Sequence, residues 1–221
     1  MFRLTVSVAT LVAGAIVLGL VMPADVVMAE EMCVVGWTIE SNTPGSIPAT
    51  YRAAGVTDIP LSRGPGISPR PDVGAFYISR YWNYTSGRLD LNDYYQWGFS
   101  CDHPLDLLYI GVSARGDSVH GPTTRRLYAS FDGGDFVYVG RPATTSARFS
   151  VDLSEYTDVR STVFRLYAYN AKSAQGNLRI NNELLTPEYA QAIQVFATPE
   201  PATLSLLALG GLAMIRRRRI S

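Results

Sequence analysis

The chain has 221 residues, and 19 lysines and arginines balance 19 aspartates and glutamates, so the formal net charge is zero. Residues 30–197, which exclude the two targeting ends described below, carry 14 basic and 17 acidic side chains, a charge of about −3. This weakly acidic segment excludes the broad basic surface with which proteins bind nucleic acid or anionic lipid. It is long enough for one domain with a substantial core.

The N-terminus has the organisation of an export signal. Arg3 is followed by the apolar stretch 4–21, and Val27-Met28-Ala29 places compact residues at the −3 and −1 positions of a signal-peptidase site. We therefore predict a signal peptide over residues 1–29 and a mature protein that begins at Glu30. An uncleaved signal anchor is the alternative, because an apolar stretch of about 18 residues could just span a membrane.

In the middle of the chain, apolar and polar residues alternate with the period of two that is typical of strands. Tyr95, Trp97 and Phe99 share one strand face and are expected to point into the core. The turn 132–135, of sequence Asp-Gly-Gly-Asp, predicts a hairpin, whereas the Pro-, Gly- and Ser-rich stretch 40–71 is interpreted as a long loop. The predicted strands are 34–39, 74–82, 93–99, 106–114, 126–131, 136–139, 148–153, 162–169, 177–182 and 192–196.

Tyrosines are frequent on these predicted strands. In 162–169 we expect Phe164, Leu166 and Ala168 to face inward, with Arg165 and the tyrosines outward. Core packing explains most of the aromatic residues, since strands favour them. Outward tyrosines could instead stack on sugar rings while their hydroxyls form hydrogen bonds.

Two cysteines, Cys33 and Cys101, lie 68 residues apart in the chain. In an oxidising compartment they could form a disulfide. By the chain-entropy model it would stabilise the folded state by roughly 4 kcal/mol. Two separate thiols are the alternative, because the sequence does not place their Cα atoms within bonding reach.

The sequence contains no convincing catalytic constellation. His103 and His120 are its only histidines, and a nucleophile pair of Cys101 and His103 rests on nearness in sequence alone. Asp90 and Asp93 fall in a turn, where aspartate is favoured without any catalytic role. We therefore predict that the protein is not an enzyme and has no catalytic residues.

The C-terminal end has three parts in succession. Pro199, Glu200 and Pro201 precede the apolar stretch 202–215, which is predicted to form a transmembrane helix. Fourteen residues cover roughly 21 Å as a helix, less than the about 30 Å of the hydrocarbon core, so this anchor is marginal. A basic stop that keeps the tail on the cytoplasmic side follows as Arg216, Arg217, Arg218 and Arg219.

This combination, together with Ala202-Thr203-Leu204 and Gly210-Gly211, resembles the PEP-CTERM sorting signal of bacterial exported proteins. The same signature is sometimes labelled as the C-terminal segment of ice-binding proteins. The resemblance implies a sorting signal over residues 198–221, an exosortase-type membrane enzyme as partner, and export to the cell envelope or extracellular matrix. An ordinary C-terminal membrane anchor is the alternative.

The predicted strands indicate an all-β protein with a single β-sandwich, jelly-roll-like domain over residues 30–197. Segments such as 36–40, 93–97 and 176–182 resemble galactose-binding-like and carbohydrate-binding jelly rolls, a resemblance that implies a fold more than a function. Related jelly rolls often hold a structural calcium. Glu40 could be one ligand here, but Asn181 and Asn182 replace a carboxylate by weaker amide oxygens, so we predict no required cofactor.

Both targeting ends and the β pattern favour an exported, non-enzymatic envelope or matrix protein with an adhesive or glycan-binding module. A membrane contact through the tail and an extracellular polysaccharide are the expected partners, and nucleic acid is not. Two alternatives from other classes remain open. They are a secreted carbohydrate-active hydrolase and a structural matrix protein without a ligand.

Overall fold

A computed structural model describes residues 31–40, 45–70, 77–141, 148–182 and 191–199. The predicted signal peptide, transmembrane helix and basic stop lie outside these residues. Within them the protein is all-β, and no helix that could cross a membrane is found there. The strands are β1 (Met32–Trp37), β2 (Tyr51–Arg52), β3 (Val56–Arg63), β4 (Ser68–Pro69), β5 (Tyr77–Arg80), β6 (Tyr94–Gly116), β7 (Thr124–Phe131), β8 (Val137–Gly140), β9 (Arg148–Asp152), β10 (Val159–Tyr169), β11 (Leu178–Ile180) and β12 (Ile193–Pro199).

The long strand β6 takes part in each of the three sets of antiparallel strands. Its first part, residues 94–101, lies between β3 and β10, and β10 continues to β7 and β8. Its second part, residues 105–112, lies between β12 and β9, and β12 continues to β1 and β2. At the end of β6, residues 114–116 pair with β11, which continues to β5 and β4. Three sets of strands therefore share one strand.

The structure joins two predicted strands, 93–99 and 106–114, into β6. A bulge at Leu108 explains how one strand serves two sets of neighbours. Phe196 pairs with Tyr109 and Ala197 with Leu107, so Leu108 has no partner in β12. The buried apolar side chains of β6 have odd numbers up to Leu107 and even numbers from Ile110 onward. The extra residue at the bulge causes this change, so the buried face of the strand meets a new set of neighbours beyond it.

The prediction for the inward face of β6 is confirmed. Tyr95, Trp97 and Phe99 are fully buried, and the Trp97 ring stacks on Phe164 with 6.1 Å between ring centroids. On β10, Leu166 is buried with Phe164 in the same core, as the alternation predicted. The core therefore lies under the first part of β6. The expectation that the tyrosines of β10 are exposed is wrong, because neighbouring side chains cover Tyr167 and Tyr169 and leave them 3% and 7% exposed.

The interpretation of residues 40–71 as one loop is wrong, because β2, β3 and β4 lie within that stretch. β3 pairs with β6, although Asp58 and Pro60 obscure its pattern. The register shifts between Ile59 and Ser62, so Pro60 sits where the ladder is interrupted and its missing N–H has no cost. The predicted hairpin is confirmed, since β7 and β8 pair around Asp132 and Gly133, whose φ angles are 49° and 75°.

Candidate functional site

A row of four tyrosines crosses the outward face of β6, β10, β7 and β8. Tyr94 on β6 lies directly opposite Tyr167 on β10, with 5.6 Å between ring centroids. Tyr167 contacts Tyr128 on β7 at 5.4 Å, and Tyr128 contacts Tyr138 on β8 at 5.6 Å. Each pair is in the edge-to-face geometry that aromatic rings favour. The four strands therefore carry a continuous row of contacting aromatic rings.

Arginines are interleaved with this row. The Arg165 guanidinium carbon lies 4.4 Å from the centroid of the Tyr94 ring and 4.1 Å from that of Phe136. Its Nε donates to Gln96 Oε1 at 2.9 Å, which holds the head group beside these rings. Contacts at these distances are cation–π contacts, and they keep the charge close to the rings. The face thus combines flat apolar surface with hydrogen-bonding groups.

We call this surface the tyrosine–arginine face. It consists of eight side chains from β6, β7, β8, β10 and the residue before β8, namely Tyr94, Gln96, Arg126, Tyr128, Phe136, Tyr138, Arg165 and Tyr167. The Arg126 guanidinium carbon lies 5.8 Å from the centroid of the Tyr138 ring. Because the strands, rather than loops, carry nearly all of these groups, their spacing is set by the sheet.

The rings of this face differ in accessibility. Tyr138 is 50% exposed, Tyr94 and Tyr128 are half-buried, and Tyr167 is only 3% exposed. Gly64 allows a loop to approach Tyr94 closely, since a Cβ at that position would lie 2.8 Å from the ring. Tyr167 therefore supports the row from below, while Tyr138 and its half-buried neighbours offer ring surface to a ligand.

Sequence reasoning found only part of this face. It placed Tyr94, Gln96 and Arg165 on outward faces, and the structure confirms that placement. It did not bring the strands together, because the neighbours of β10 are β6 and β7, which the sequence does not reveal. The repeated Arg-x-Tyr spacing of Arg126 with Tyr128 and of Arg165 with Tyr167 is the signal that could have indicated it.

Of the two possibilities left open for Cys33 and Cys101, the structure has two separate free thiols. Cys33 Sγ lies 3.9 Å from Gln194 Nε2, whereas Cys101 Sγ lies 3.1 Å from the carbonyl oxygen of Arg160. The two sulfurs thus have different neighbours on different strands. Burial raises the pKa of both thiols, the opposite of what a nucleophilic cysteine needs.

His103 and Cys101 have different neighbours in the structure. His103 lies beside Gly55, where a Cβ would be 3.4 Å from its Nε2, while Cys101 contacts the start of β10. His120 lies 3.9 Å from an oxygen of Asp117 in another loop. His120 therefore lies in a loop, whereas Cys101 and His103 both lie on β6.

The residues considered for calcium do not fit the ion. Asn182 is close to Glu40, but its Oδ1 accepts from the Ile39 N–H at 3.1 Å and its Nδ2 donates to the Ile39 carbonyl at 2.7 Å. Asn181 Oδ1 accepts from Ser113 Oγ at 3.0 Å in the buried interior. Calcium takes about six to eight oxygen ligands. Across the described parts of the chain, no three acidic, histidine or cysteine side chains converge to hold a metal.

Asp93 is a buried carboxyl group beside the start of β6. It is 4% exposed, and its Oδ2 accepts a hydrogen bond from the Asn83 N–H at 2.7 Å. Burial raises the pKa of Asp93 to about 6; the Asn83 bond lowers it, and the neighbouring Asp90 raises it further. Its role is to hold the loop that contains Asn83.

Asp93→Asn is expected to remove a pH dependence of stability. The folded pKa lies above the usual 3.8, so the folded state holds its proton more tightly than the unfolded state does. Stability should therefore fall as the pH rises from about 4 to about 6 and stay lower above that. Asparagine can still accept from Asn83 but carries no charge. Denaturation midpoints across this range should decline in the wild type and stay level in the variant; equal declines would contradict this.

The family comparison concerns the C-terminal end. Residues 197–219 match the family model described as the PEP-CTERM protein-sorting motif. These residues are a PEP-CTERM sorting motif. The motif indicates export and membrane-anchored sorting by an exosortase. Its first three residues lie in β12, where Ala197 pairs with Leu107, Thr198 with Asp106 and Pro199 with Leu105, and the rest of the motif lies outside the described residues.

Comparison with solved structures found family 32 carbohydrate-binding modules. One from Clostridium perfringens, in complex with GalNAc-β-1,3-galactose, has a TM-score of 0.35 and 11% identity and covers 68% of this chain and 99% of its own. The module of C. perfringens NanJ, in complex with galactose, has a TM-score of 0.33 and 12% identity and covers 69% and 98%. These low scores carry no conclusion about this chain's fold or ligand. No curated protein matches the sequence.

Proposed function

We propose that this is an exported, non-enzymatic protein of the cell envelope or extracellular matrix that binds glycans through its tyrosine–arginine face. The PEP-CTERM motif supplies the sorting signal at the C-terminal end. The observation that carries the binding function is the row of four tyrosines with interleaved arginine and glutamine groups. The tail acts as the sequence analysis predicts: the proline-containing motif is recognised by the sorting enzyme, the apolar stretch 202–215 anchors the protein in the membrane, and the basic stop keeps the tail on the cytoplasmic side.

We further propose that the domain is a jelly-roll-like β-sandwich. Two strand sets support this, β3–β6–β10–β7–β8 and β2–β1–β12–β6–β9, which share β6 and turn their buried residues toward one core. The tyrosine–arginine face is then the outer surface of the first set. A rigid sheet keeps the spacing of binding groups constant, which lowers the entropy lost on binding.

The chemistry of the face matches the chemistry of sugars. The apolar side of a pyranose ring can lie on an aromatic ring, while its hydroxyls accept or donate hydrogen bonds at the edges. Tyr138 and Tyr128 provide accessible ring surface, and Arg165 and Gln96 provide polar groups beside it. Because Tyr94 lies on one side of the buried Tyr167 and Tyr128 and Tyr138 lie on the other, the accessible rings are spread over the face, which suits a chain of several sugars better than a single residue.

The hydrolase alternative is less well supported. Glycoside hydrolysis uses two carboxyl groups on either side of the scissile bond. The eight side chains that define the tyrosine–arginine face include no carboxyl group. Asp93 has the raised pKa that a general acid needs, but it is buried and holds the backbone of Asn83. Binding without turnover is therefore the function that this surface favours.

Tyr138→Ala is expected to weaken glycan binding by about tenfold, since an exposed stacking ring contributes on the order of 1 kcal/mol or more. The full-length protein in nonionic detergent would be applied to a glycan array and the hits titrated. Tyr51→Ala is the matched control, because Tyr51 is 42% exposed and lies on β2, outside the face. Saturable binding that both variants retain would reject this face; no saturable binding would favour the structural matrix protein.

A further inference from the structure

The charge of the tyrosine–arginine face differs from that of the domain that carries it. Arg126 and Arg165 are the charged side chains of the face, which includes no carboxyl group. Residues 30–197 as a whole carry a charge of about −3. A surface that is locally positive in a weakly acidic domain is complementary to a ligand with negative groups.

Strand register places each arginine of the face opposite a tyrosine. Arg165 on β10 pairs with Tyr128 on β7, and Tyr167 on β10 pairs with Arg126 on β7. The two arginines are therefore diagonal neighbours, at a typical spacing of about 7–8 Å, and the repulsion between like charges directly opposite is avoided. The two residue types alternate along both strands, so a guanidinium group lies beside each ring.

The contacts of Arg165 are all with uncharged side chains. Its Nε donates to Gln96 Oε1 at 2.9 Å, and its Nη1 donates to the Tyr167 hydroxyl at 3.5 Å. The rings that it contacts are those of Tyr94 and Phe136. A guanidinium group has five N–H donors, so two hydrogen bonds leave donors for a ligand. The neighbours thus orient the group without neutralising its charge.

Arg126 is exposed, and its neighbours are tyrosines. Its guanidinium carbon lies 5.8 Å from the centroid of the Tyr138 ring and 5.9 Å from that of Tyr169. In the part of the chain that the structure describes, no aspartate or glutamate forms an ion pair with Arg126 or Arg165. Both positive charges of the face therefore remain for an anionic ligand.

We propose that the tyrosine–arginine face binds a polysaccharide that carries acidic groups, either carboxylates or sulfate esters. Guanidinium groups form paired, charge-assisted hydrogen bonds with such oxyanions, while the sugar rings lie on the accessible tyrosines. A neutral glycan could offer the two arginines only its hydroxyls, whereas an acidic glycan also pairs their charges. This proposal rests on the proposed glycan-binding function and names the class of glycan.

The test compares polygalacturonate, a sulfated galactan, a neutral galactan and poly-glutamate as probes in affinity electrophoresis. Full-length protein in nonionic detergent is used with Arg216–Arg219 replaced by serine, so that the basic tail does not attract acidic polymers. We expect this parent protein to bind an acidic glycan more tightly than the neutral galactan, which lacks charge, or poly-glutamate, which lacks sugar rings. Added salt should weaken its binding to the acidic glycan. The carboxylate and sulfate probes show which oxyanion is preferred.

Arg165→Gln is expected to weaken binding of the acidic glycan about tenfold. Arg126→Gln should weaken it about threefold, because water screens an exposed charge. Arg126→Gln should leave any binding to the neutral galactan within about twofold of the parent, which separates the charge from the support of the rings. It also decides the question if Arg165→Gln lowers the unfolding midpoint. Arg88→Gln is the charge-matched control, since Arg88 is exposed and lies outside the face.

The proposal is overturned if the neutral galactan or poly-glutamate binds as tightly as both acidic glycans. It is also overturned if both arginine variants bind the acidic glycans as the parent does, or if Arg88→Gln loses as much affinity as they do. Neutral-glycan binding that Tyr138→Ala weakens would survive each of these outcomes and keep the proposed function. Binding to neither acidic glycan would overturn the proposal as well, and the glycan array then tests the proposed function separately.

Discussion

Replacing Trp97 by alanine is expected to lower the free energy of unfolding by about 3–5 kcal/mol. The side chain is fully buried, stacks on Phe164, and lies in the first part of β6, where β3 and β10 both pair. The truncation leaves a cavity that rigid strands on both sides cannot fill. Chemical denaturation followed by circular dichroism measures the loss.

Two further variants separate the cavity from other effects. Trp97 Nε1 is buried without a hydrogen-bond partner in the structure, so Trp97→Phe removes an unsatisfied donor and should cost clearly less than the alanine variant. Val137→Ala, at a position 42% exposed, should change stability by less than about 0.5 kcal/mol. An unchanged midpoint for Trp97→Ala would contradict the core as described.

Replacing Pro199-Glu200-Pro201 by three alanines is expected to block processing, so that full-length protein accumulates in the membrane. Proline fixes its own φ, so we expect Pro199 and Pro201 to favour an extended element and Glu200 to add one charge, which together would let an enzyme recognise both backbone and side chain. The apolar stretch 202–215 is unchanged and should still insert. Immunoblots of membrane and released fractions, in a host that has the sorting enzyme, measure the outcome.

The basic stop provides the contrasting variant. Replacing Arg216–Arg219 by serine should weaken membrane retention, because the apolar stretch alone is short for a bilayer. The two variants are therefore expected to give opposite results: the triple-alanine protein accumulates in the membrane, whereas the serine variant is lost from it. If the triple-alanine protein is cut and delivered like the wild type, the tail is an anchor and Pro199-Glu200-Pro201 is not its recognition element.

Strands with one polar and one apolar face were predictable, as Tyr95 and Trp97 on β6 show, because the period of two encodes burial directly. The sequence analysis missed β3 because proline is a signal against strands. Pro60 is tolerated because the ladder between β3 and β6 is interrupted there, and this interruption is visible only in the paired strands. The continuity of β6 was missed for a similar reason, since Pro104 lies between its two parts.

The tyrosine–arginine face depends on which strands are neighbours. Tyr94 and Tyr167 are distant in sequence, and only the pairing of β10 with β6 brings them together. Long-range register follows from the packing of the whole core, and a single sequence contains no local pattern for it. The sorting motif, by contrast, is contiguous and was predicted from the sequence alone.

The most direct test of the glycan-binding function is a titration of tyrosine-labelled protein with an array-positive glycan, followed by NMR of the ring resonances. We expect saturable shifts for Tyr94, Tyr128 and Tyr138, which line the tyrosine–arginine face, and unchanged resonances for the exposed Tyr51 on β2. Saturable binding that leaves the three rings of the face unchanged, or shifts only Tyr51, would contradict the assignment of this face as the glycan site.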